Sequence, residues 1–359
     1  MSENLCFFAG KEALSLIREQ GLSPDMVRVI AGAAGGPKWL VLDGIDRAIF
    51  FTWLKDNNRP VFLVGSSIGT WRFAAIAQAN PEDAYNRFED AYIHQSYLSR
   101  PSAKDVSIEA TKILDAYLSD GGARSILNHP YMRLNILTTK CRCPASSENI
   151  IALCLVLLGA HILNTVDRGN LKVFFKRALF YDPRDIPPFF HMDGFPIHRA
   201  PITEKNIRDV ILASGSIPVV MEGVKDIPGA SPGMYRDGGL IDYHIDIPFI
   251  NNDHKGIVLF PHYIDRIIPG WFDKRLPWRG PKNSHMDRVV VVCPSRAFIN
   301  RLPHKKIPDR NDFMHFKGRD TRRIAYWEKV VKESYHLGDE FLEVLQSGKI
   351  RERIRPLPY

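Results

Sequence analysis

The turn that carries Ser67 is the part of the sequence best suited to covalent chemistry. Residues 61–70 read VFLVGSSIGT, which places Ser67 between Gly65 and Gly69 in a G-x-S-x-G pattern. The apolar run before it has the length of a strand, and the alanine-rich stretch at 71–79 predicts a helix. A sharp strand-to-helix turn needs small residues around the serine and leaves its hydroxyl above the positive end of a helix. The pattern predicts a nucleophile elbow; a glycine-bracketed turn in which Ser67 only caps the helix is the alternative.

A glycine cluster follows an earlier predicted strand and has the composition of an oxyanion-binding loop. The strand is residues 26–31, and residues 32–39 then read GAAGGPKW. Acyl transfer needs backbone N–H donors aimed at the developing oxyanion, and glycine lets the backbone come close enough. Gly35 and Gly36 are the predicted donors, because Pro37 has no N–H. The pattern G-x-x-x-x-G-K-[ST] of a phosphate loop is absent, and a glycine turn without a chemical role stays open.

An aspartate near residue 237 is the predicted partner of the serine. Residues 235–239 read YRDGG, so Asp237 precedes Gly238 and Gly239 at the end of an extended run. A carboxylate in this position can accept a hydrogen bond from a serine hydroxyl and take its proton. An ordinary Asp-Gly turn is the alternative for this segment taken alone.

Taken together and in this chain order, the segments resemble the patatin-like phospholipase family. That family has a Ser–Asp dyad without histidine, a G-G-G-x-R/K-G oxyanion loop, a G-x-S-x-G elbow and a D-G-G/A motif. The matches are AGGPKW at 34–39, GSSIG at 65–69, ASGSIP at 213–218 and DGG at 237–239. The resemblance runs from about Arg28 to Pro248. It implies that Ser67 is the nucleophile, that Asp237 is the base and that Gly35 and Gly36 form the oxyanion hole. It also implies supporting roles for Lys38, Gly65, Gly69, Gly238 and Gly239.

The function implied by the resemblance is that of a serine-dependent lipid acyl hydrolase of the phospholipase A or lysophospholipase type. The reaction proceeds through an acyl-enzyme and needs no metal or organic cofactor. Two departures from the family pattern stand out. Ala34 and Trp39 replace the first and last glycines of the loop, and LIDYHIDIP follows Gly239 where the family often has an asparagine-rich turn.

Three alternatives to the dyad hydrolase stay open. A Ser/Asp/His relay of the α/β-hydrolase kind would use His262 or His315, which both follow Asp237 in the chain. A metal site would use alternating residues on one strand face, namely Asp242, His244 and Asp246. The altered glycine loop favours the third alternative, a non-catalytic membrane-binding protein of the same fold.

The order of elements predicts the fold class. Strand, glycine-rich loop, helix, strand, elbow and helix follow one another, which is typical of an α/β protein with three layers and a central, mostly parallel sheet. At 359 residues, 45% hydrophobic and 25% charged, we expect a single domain over residues 1–359. We expect a closing helix at 324–345, a helix at 203–214 capped by Thr203, and a buried helix in the apolar stretch 150–163. No leader segment and no disulfide framework is expected.

The positive charge is concentrated near the end of the chain. The formal net charge is +8, and residues 266–323 hold 15 Lys and Arg against five Asp and Glu. Such a segment predicts contact with an anionic membrane, and a solvated surface is the alternative. It lacks a nucleic-acid-binding motif, so nucleic acid is not an expected partner. The segment IIPGWF at 267–272 and the aromatic helices over 85–117 are candidates for a lid or membrane edge, with core packing as the alternative for the helices. A cytoplasmic location, peripheral at the inner face of a membrane, is expected.

Overall fold

The computed structural model describes residues 3–97, 101–118, 121–250 and 256–358. The strands of these residues are β1 (Leu5–Ala9), β2 (Val27–Gly32), β3 (Val61–Ser66), β4 (Met132–Cys141), β5 (Phe175–Tyr181), β6 (Ile197–Pro201), β7 (Val224–Lys225), β8 (Met234–Asp237), β9 (Ile257–Pro261), β10 (Val289–Pro294) and β11 (Ile354–Pro356). The α-helices are α1 (Lys11–Gln20), α2 (Asp43–Arg47), α3 (Ile68–Ile76), α4 (Pro81–His94), α5 (Ala103–Tyr117), α6 (Gly122–Leu127), α7 (Ile150–Val166), α8 (Ile207–Gly215), α9 (Asn283–Met286), α10 (Arg296–Arg301), α11 (Asn311–His315), α12 (Asp320–Gln346) and α13 (Ile350–Arg353).

The eleven strands of the described residues form one sheet; nine follow the order β11-β1-β10-β9-β2-β3-β4-β5-β6, while β8 pairs with β4 and β7 pairs with β8. The neighbours from β10 to β4 run parallel, whereas β1 and β5 are antiparallel to β10 and β4. Parallel strands need helical crossovers that cover both faces, which is why β2 and β3 consist almost entirely of buried residues. The predicted α/β class with a central, mostly parallel sheet flanked by helices is confirmed.

The long strand β4 brings β3 and β8 end to end. The first part of β4 pairs in parallel with β3, with Ser66 opposite Leu137. The next residues of β4 pair antiparallel with β8, and Thr138 lies opposite Asp237. Ser66 and Asp237 therefore face consecutive residues of one strand. Because Ser67 follows Ser66 directly, this register places the two chemically important segments side by side.

The aromatic residues of α4 and α5 belong to the core. Tyr85, Phe88 and Tyr117 are fully buried, and the Phe88 ring stacks on Trp39 at 4.7 Å between centroids. These aromatic residues therefore pack in the core and do not form a lid or a membrane edge. Trp39, which departs from the family pattern, anchors the end of the glycine loop in this cluster.

Several sequence predictions of local structure are wrong. The helix expected from Thr203 begins at Ile207, because the Asn206 side chain accepts a hydrogen bond from the Thr203 N–H and closes a turn there. The segment with Asp242, His244 and Asp246 is not a strand, so its alternating side chains do not share a face. The sequence does not predict β1 or the edge strand β11, since strands this short have little periodicity of their own.

The helix expected to be buried, α7, is exposed along one side. Large hydrophobic residues of α7 face solvent, among them Ile151 at 70% and Val166 at 79% exposure. A helix that is apolar all round is normally buried, which explains the wrong prediction. Among the described residues, no helix combines the length and the apolar character needed to cross a bilayer.

Candidate active site

The turn between β3 and α3 holds Ser67 in a strained backbone conformation. Its φ of 53° and ψ of −128° lie outside the regions that non-glycine residues normally occupy. The turn also brings α3 against β2. A Cβ on Gly69 would lie 2.0 Å from the carbonyl oxygen of Gly32, and a Cβ on Gly65 would lie 2.5 Å from the Thr70 nitrogen. Both positions of the G-x-S-x-G pattern therefore require glycine, as the sharp turn of a nucleophile elbow does.

Ser214 of α8 fixes this turn from behind. Its Oγ accepts a hydrogen bond from the Ser67 N–H at 2.9 Å and donates to the Leu137 carbonyl at 2.8 Å. The Thr70 hydroxyl is also 2.9 Å from the Ser214 Oγ. The small-residue segment at 213–218 thus has a definite structural role, which its sequence alone did not reveal. Ser214 connects the strained turn to β4.

The Ser67 hydroxyl donates a hydrogen bond to the Asp237 carboxylate, at 2.8 Å between Oγ and Oδ2. The other oxygen, Oδ1, accepts the Gly239 N–H at 2.6 Å, so the carboxylate is held in one orientation. Gly238 and Gly239 begin the short 3-10 turn that follows β8. The structure therefore brings Ser67 and Asp237 together; their catalytic roles stay a prediction.

Burial raises the pKa of Asp237 above its ordinary value, because desolvation penalises the charged carboxylate. Arg310, the Ser67 hydroxyl, the Gly239 N–H and Lys274 act in the opposite direction. A carboxylate with a raised pKa is a stronger proton acceptor once it is ionised.

The predicted oxyanion loop passes close to Ser67. Gly35 lines the same cavity as Ser67 and Asp237, and Gly36 lines a second cavity that Ser67 shares. Gly36 has a φ of +57°. In the part of the chain that the structure describes, the N–H groups of Gly35 and Gly36 donate to no protein acceptor. Both are therefore available as donors, and whether they bind an oxyanion stays a prediction.

Two tyrosines hold the residue before these glycines. The Ala34 N–H donates to the Tyr243 carbonyl, and the Tyr263 hydroxyl donates to the Ala34 carbonyl at 2.7 Å. Lys38 lies over the Tyr263 ring, with its Nζ 4.8 Å from the centroid. The loop is thus fixed on both sides although it lacks the family's first glycine.

His244 completes this support as a neutral side chain. Its Nδ1 accepts the Ile268 N–H at 2.9 Å, so Nε2 carries the proton and donates to the Tyr263 hydroxyl at 2.7 Å. Desolvation, followed by the nearby His262, lowers the pKa of His244 well below its ordinary value. His244 therefore positions Tyr263, and no sequence motif indicated this role.

The histidines of the relay alternative lie away from the dyad. His262 is buried against the His244 and Tyr263 rings, and burial lowers its pKa to about 3. His315 is exposed beside Phe316. Neither of the two cavities that Ser67 lines includes a described histidine.

The side chains of the metal alternative point to different partners. Asp242 forms a buried ion pair with Arg177, and Asp246 contacts His285 at 2.8 Å. His244 contacts Tyr263 instead. In the described ranges, no group of three His, Cys, Asp or Glu side chains is arranged to hold a metal ion.

Ser67 stands between two cavities of different character. The first, of about 280 Å³, also contains Asp237 and has Lys38, Lys274 and Arg310 in its wall. In the described residues, no ion pair joins any of these three cations to a carboxylate, although Asp309 lies in the same wall. Partial desolvation lowers the pKa of Lys274, and the positive charges of Lys38 and Arg310 act in the same direction. This cavity is suited to an anionic group.

The second cavity, of about 550 Å³, is lined mainly by apolar side chains. Its walls come from α4, α5, the segment after α8, and α11; they include Tyr92, Ala110, Ile113, Met221 and Phe313. A long hydrocarbon chain fits such a lining. The sequence did not reveal this cavity, because its walls are separated in the chain by more than two hundred residues.

No protein-family model and no curated protein matches the chain in sequence. Several solved structures resemble it. One is the heterodimeric ExoU–SpcU complex from the type III secretion system of Pseudomonas aeruginosa, at 12% identity, 89% coverage of this chain, 52% of that chain and a TM-score of 0.37. Human GIVD cytosolic phospholipase A2 has 11% identity, coverage of 94% and 62%, and a TM-score of 0.40. VipD from Legionella pneumophila has 11% identity, coverage of 66% and 50%, and a TM-score of 0.31.

The chain spans between about half and three fifths of the length of these proteins. One of these structures is, by its name, a phospholipase A2. At these identities and TM-scores the likeness carries no information about activity.

Proposed function

We propose that the chain is a serine-dependent lipid acyl hydrolase that cleaves carboxylic esters through Ser67 and Asp237. The observation that carries the proposal is the 2.8 Å hydrogen bond from the Ser67 hydroxyl to Asp237, made from a strained elbow. A nucleophile in contact with its base is the requirement for covalent acyl transfer.

In the proposed mechanism, Ser67 Oγ attacks the ester carbonyl carbon while Asp237 Oδ2 accepts the hydroxyl proton. The N–H groups of Gly35 and Gly36 stabilise the oxyanion of the tetrahedral intermediate. The C–O bond to the alcohol then breaks, and Asp237 returns the proton to the leaving oxygen. Water attacks the acyl-enzyme with Asp237 again as base, which releases the carboxylic acid and restores the Ser67 hydroxyl.

The two cavities support a lipid as the ester. We place the acyl chain in the apolar cavity and the remainder of the molecule in the cavity with Lys38, Lys274 and Arg310. An anionic group near the ester, as in a phospholipid or lysophospholipid, would meet the three cations. This assignment makes Lys274 and Arg310, from the basic segment 266–323, part of substrate binding.

Other cations of the basic segment have internal partners. Arg279 lies 3.6 Å from Asp273, and Arg266 donates to three backbone carbonyls. We propose that the exposed remainder contacts an anionic membrane from the cytoplasmic side. The non-catalytic alternative has no support beyond the replaced glycines of the loop. The comparison of Ser67→Ala with Ser66→Ala, described next, tests it directly.

The test is a comparison of two neighbouring serines. Ser67→Ala should lower turnover of a soluble short-chain ester by at least about 10³-fold, since the nucleophile is lost. Ser66→Ala is the matched control, because the Ser66 Oγ is buried in the same turn without a hydrogen-bond partner in the described structure. It should keep its activity.

A fluorophosphonate probe provides an independent readout, since it should label Ser67 in the wild type and in Ser66→Ala only. A folded Ser67→Ala chain that retains ester hydrolysis would exclude the proposed mechanism. Absence of both turnover and labelling in the wild type would favour the non-catalytic alternative.

A further inference from the structure

The exposed side of α7 is an apolar stripe. Ile151, Leu155, Leu158, Ile162 and Val166 recur at intervals of three or four residues, so they share one face of the helix, and each is more than half exposed. The opposite face, with residues such as Leu153 and Ala160, packs on the protein. A stripe of this length on a helix of 17 residues leaves a large contiguous apolar area in water.

The helix itself has no formal charge. Residues 150–166 contain no Asp, Glu, Lys or Arg, and α7 begins at an Asn149 cap. A solvent-facing helix normally has polar residues on its outer side. The side chains of α7 therefore have the composition of a surface that is covered in the working state of the protein.

The stripe lies next to the entrance of the candidate active site. Leu157 of α7 lines the cavity that contains Ser67 and Asp237. Asn164 of α7 donates to Asp273 at 2.8 Å, which holds the turn with Trp271 against the helix. Trp271 lines the same cavity and is itself partly exposed.

A second tryptophan extends the apolar area at the end of the helix. Trp278 is 71% exposed, and the following residue, Arg279, donates to the Asn164 carbonyl. Tryptophan favours the boundary between apolar and aqueous phases, because its ring is apolar and its N–H is polar. We call the five stripe residues of α7 together with Trp271 and Trp278 the docking face.

Exposed cations lie close in the chain to the residues of the docking face. Lys172 follows α7 in the chain, Lys274 and Arg275 follow Trp271, and all three are exposed. Of the acidic groups at the two ends of α7, Glu148 pairs with Arg236 and Asp167 accepts the Gly169 N–H. The combination of an apolar centre and a positive rim matches a lipid surface with anionic head groups.

A second copy of the chain fits the docking face less well. In a two-fold interface the same surface meets itself, so the face with Lys172, Lys274 and Arg275 on one copy would meet an equally positive face on the other. Such a dimer would also lie against the cavity entrance beside Trp271 and Leu157.

We infer that the docking face inserts into the surface of an anionic membrane or lipid aggregate and brings the cavity entrance to the lipid. The inference rests on the proposed function for its purpose, since only a lipid ester needs this route. The lipid contact itself is independent of catalysis. It involves α7, a segment outside the basic region 266–323 that the sequence had suggested.

The experiment measures vesicle binding of the Ser67→Ala chain, so that catalysis plays no part. The Ser67→Ala chain with an unchanged docking face should sediment with vesicles of phosphatidylcholine and phosphatidylserine. Leu155→Asp/Leu158→Asp should bind at least about tenfold more weakly, because two exposed leucines that enter the lipid on binding are exchanged for charges that the lipid rejects. Ile186→Asp is the matched control. Ile186 is 58% exposed, close to the 56% of Leu158, but it is not part of the docking face. It follows Asp185, which forms an ion pair with Arg133 at the start of β4.

A second measurement avoids charged variants. Cys154 is an exposed residue of α7, so a polarity-sensitive dye attached to it in a Cys143→Ser chain should shift to shorter wavelength when vesicles are added. Equal loss of binding in Ile186→Asp and Leu155→Asp/Leu158→Asp, or an unchanged dye spectrum, would overturn the inference. Equal binding to phosphatidylcholine alone would overturn the role of the positive rim.

Oligomeric state is the remaining readout. Sedimentation velocity should show the same particle mass for Ser67→Ala with and without Leu155→Asp/Leu158→Asp. A dimer that these substitutions dissociate would assign the docking face to a second copy and overturn the lipid contact. Vesicle binding without any Ser67-dependent ester hydrolysis in the wild type would instead contradict the proposed function and leave the docking face in place.

Discussion

At the scale of single residues, the site depends on a carboxylate that is costly to bury. Asp237 is 6% exposed, and its stabilising contacts are the Ser67 hydroxyl and the Gly239 N–H. Lys274 and Arg310 favour its charged form, but desolvation outweighs them and raises its pKa. A buried group whose charge is poorly compensated is typical of a functional position, because it lowers stability and gains reactivity.

The pH dependence of turnover should report this carboxylate. Asp237 must be ionised to accept the Ser67 proton, so kcat/KM for a soluble ester should fall on the acid side. Its midpoint should lie above the ordinary aspartate pKa of 3.8, since burial raises the pKa. A pH profile with an acid midpoint at or below that value would contradict the assignment of Asp237 as base.

The stability of the fold should also report the raised pKa of Asp237. A raised folded-state pKa means that the contribution of Asp237 to stability is fully present below the unfolded pKa and is lost as pH rises through the folded pKa. Asp237→Asn should therefore have a higher Tm than the wild type at neutral pH, and the difference should shrink as pH falls through the raised folded-state pKa and vanish below the ordinary pKa of 3.8. Turnover of the variant should be abolished at every pH. Thermal unfolding followed across pH checks the sign.

At the scale of elements, the site depends on how closely α3 approaches the end of β2. Gly69 in the first turn of α3 faces the carbonyl of Gly32, the last residue of β2. The contact leaves no room for a side chain at Gly69. Because Gly69 has no Cβ, α3 can approach β2 closely enough to hold Ser67 above the sheet.

Gly69→Ala should separate α3 from the sheet. Its Cβ would lie 2.0 Å from the Gly32 oxygen, so the helix has to move, and overpacking of this kind costs about 1–3 kcal/mol of unfolding free energy. Turnover should fall as well, because Ser67 moves relative to Asp237. Urea denaturation measures the first effect and ester hydrolysis the second.

Gly280→Ala serves as the control for that substitution. A Cβ at Gly280 has no atom within 4 Å, and the variant should match the wild type within about 0.5 kcal/mol. Equal stability of the two variants would show that the approach of α3 to β2 is not constrained as the structure indicates.

The sequence predicts local parts of this arrangement well. The glycines of the elbow and the apolar run before it specify β3 and α3, because a tight turn needs particular residue types at fixed spacing. Supporting contacts such as Ser214 with the Ser67 N–H, or Tyr263 with Ala34, join segments remote in the chain and have no local pattern. The helix α7 was predicted to be buried for a related reason: composition shows that its residues avoid water but does not show what covers them.

At the scale of the whole molecule, Ser67 lies where a polar and an apolar cavity meet. Arg310 and Ile217 line both cavities beside it. A substrate that spans both would have its ester at Ser67, with a charged part on one side and a hydrocarbon chain on the other. Selectivity for the charged part and selectivity for the hydrocarbon chain are then determined by the walls of two different cavities.

Filling the apolar cavity should change the preference for acyl chain length. Ala110→Phe adds a ring to a small residue in the wall of this cavity, which has a volume of about 550 Å³. Hydrolysis of long-chain esters should fall about tenfold or more relative to short-chain esters, because the long chain loses its place. The ratio of kcat/KM values for a series of esters measures the effect.

A uniform decrease across that series would indicate damage to the fold, and a decrease confined to the short esters would contradict the placement of the acyl chain. The Tm of Ala110→Phe distinguishes a destabilised chain from a refilled cavity.

The pairing of β4 with both β3 and β8 also determines when the reactive pair exists during synthesis. Ser67 and Asp237 are 170 positions apart, and their contact requires three strands from distant parts of the chain. All three strands have to emerge from the ribosome before the Ser67 hydroxyl can contact Asp237. Under the proposed function, incomplete polypeptides that still lack β8 should therefore be unable to hydrolyse lipids.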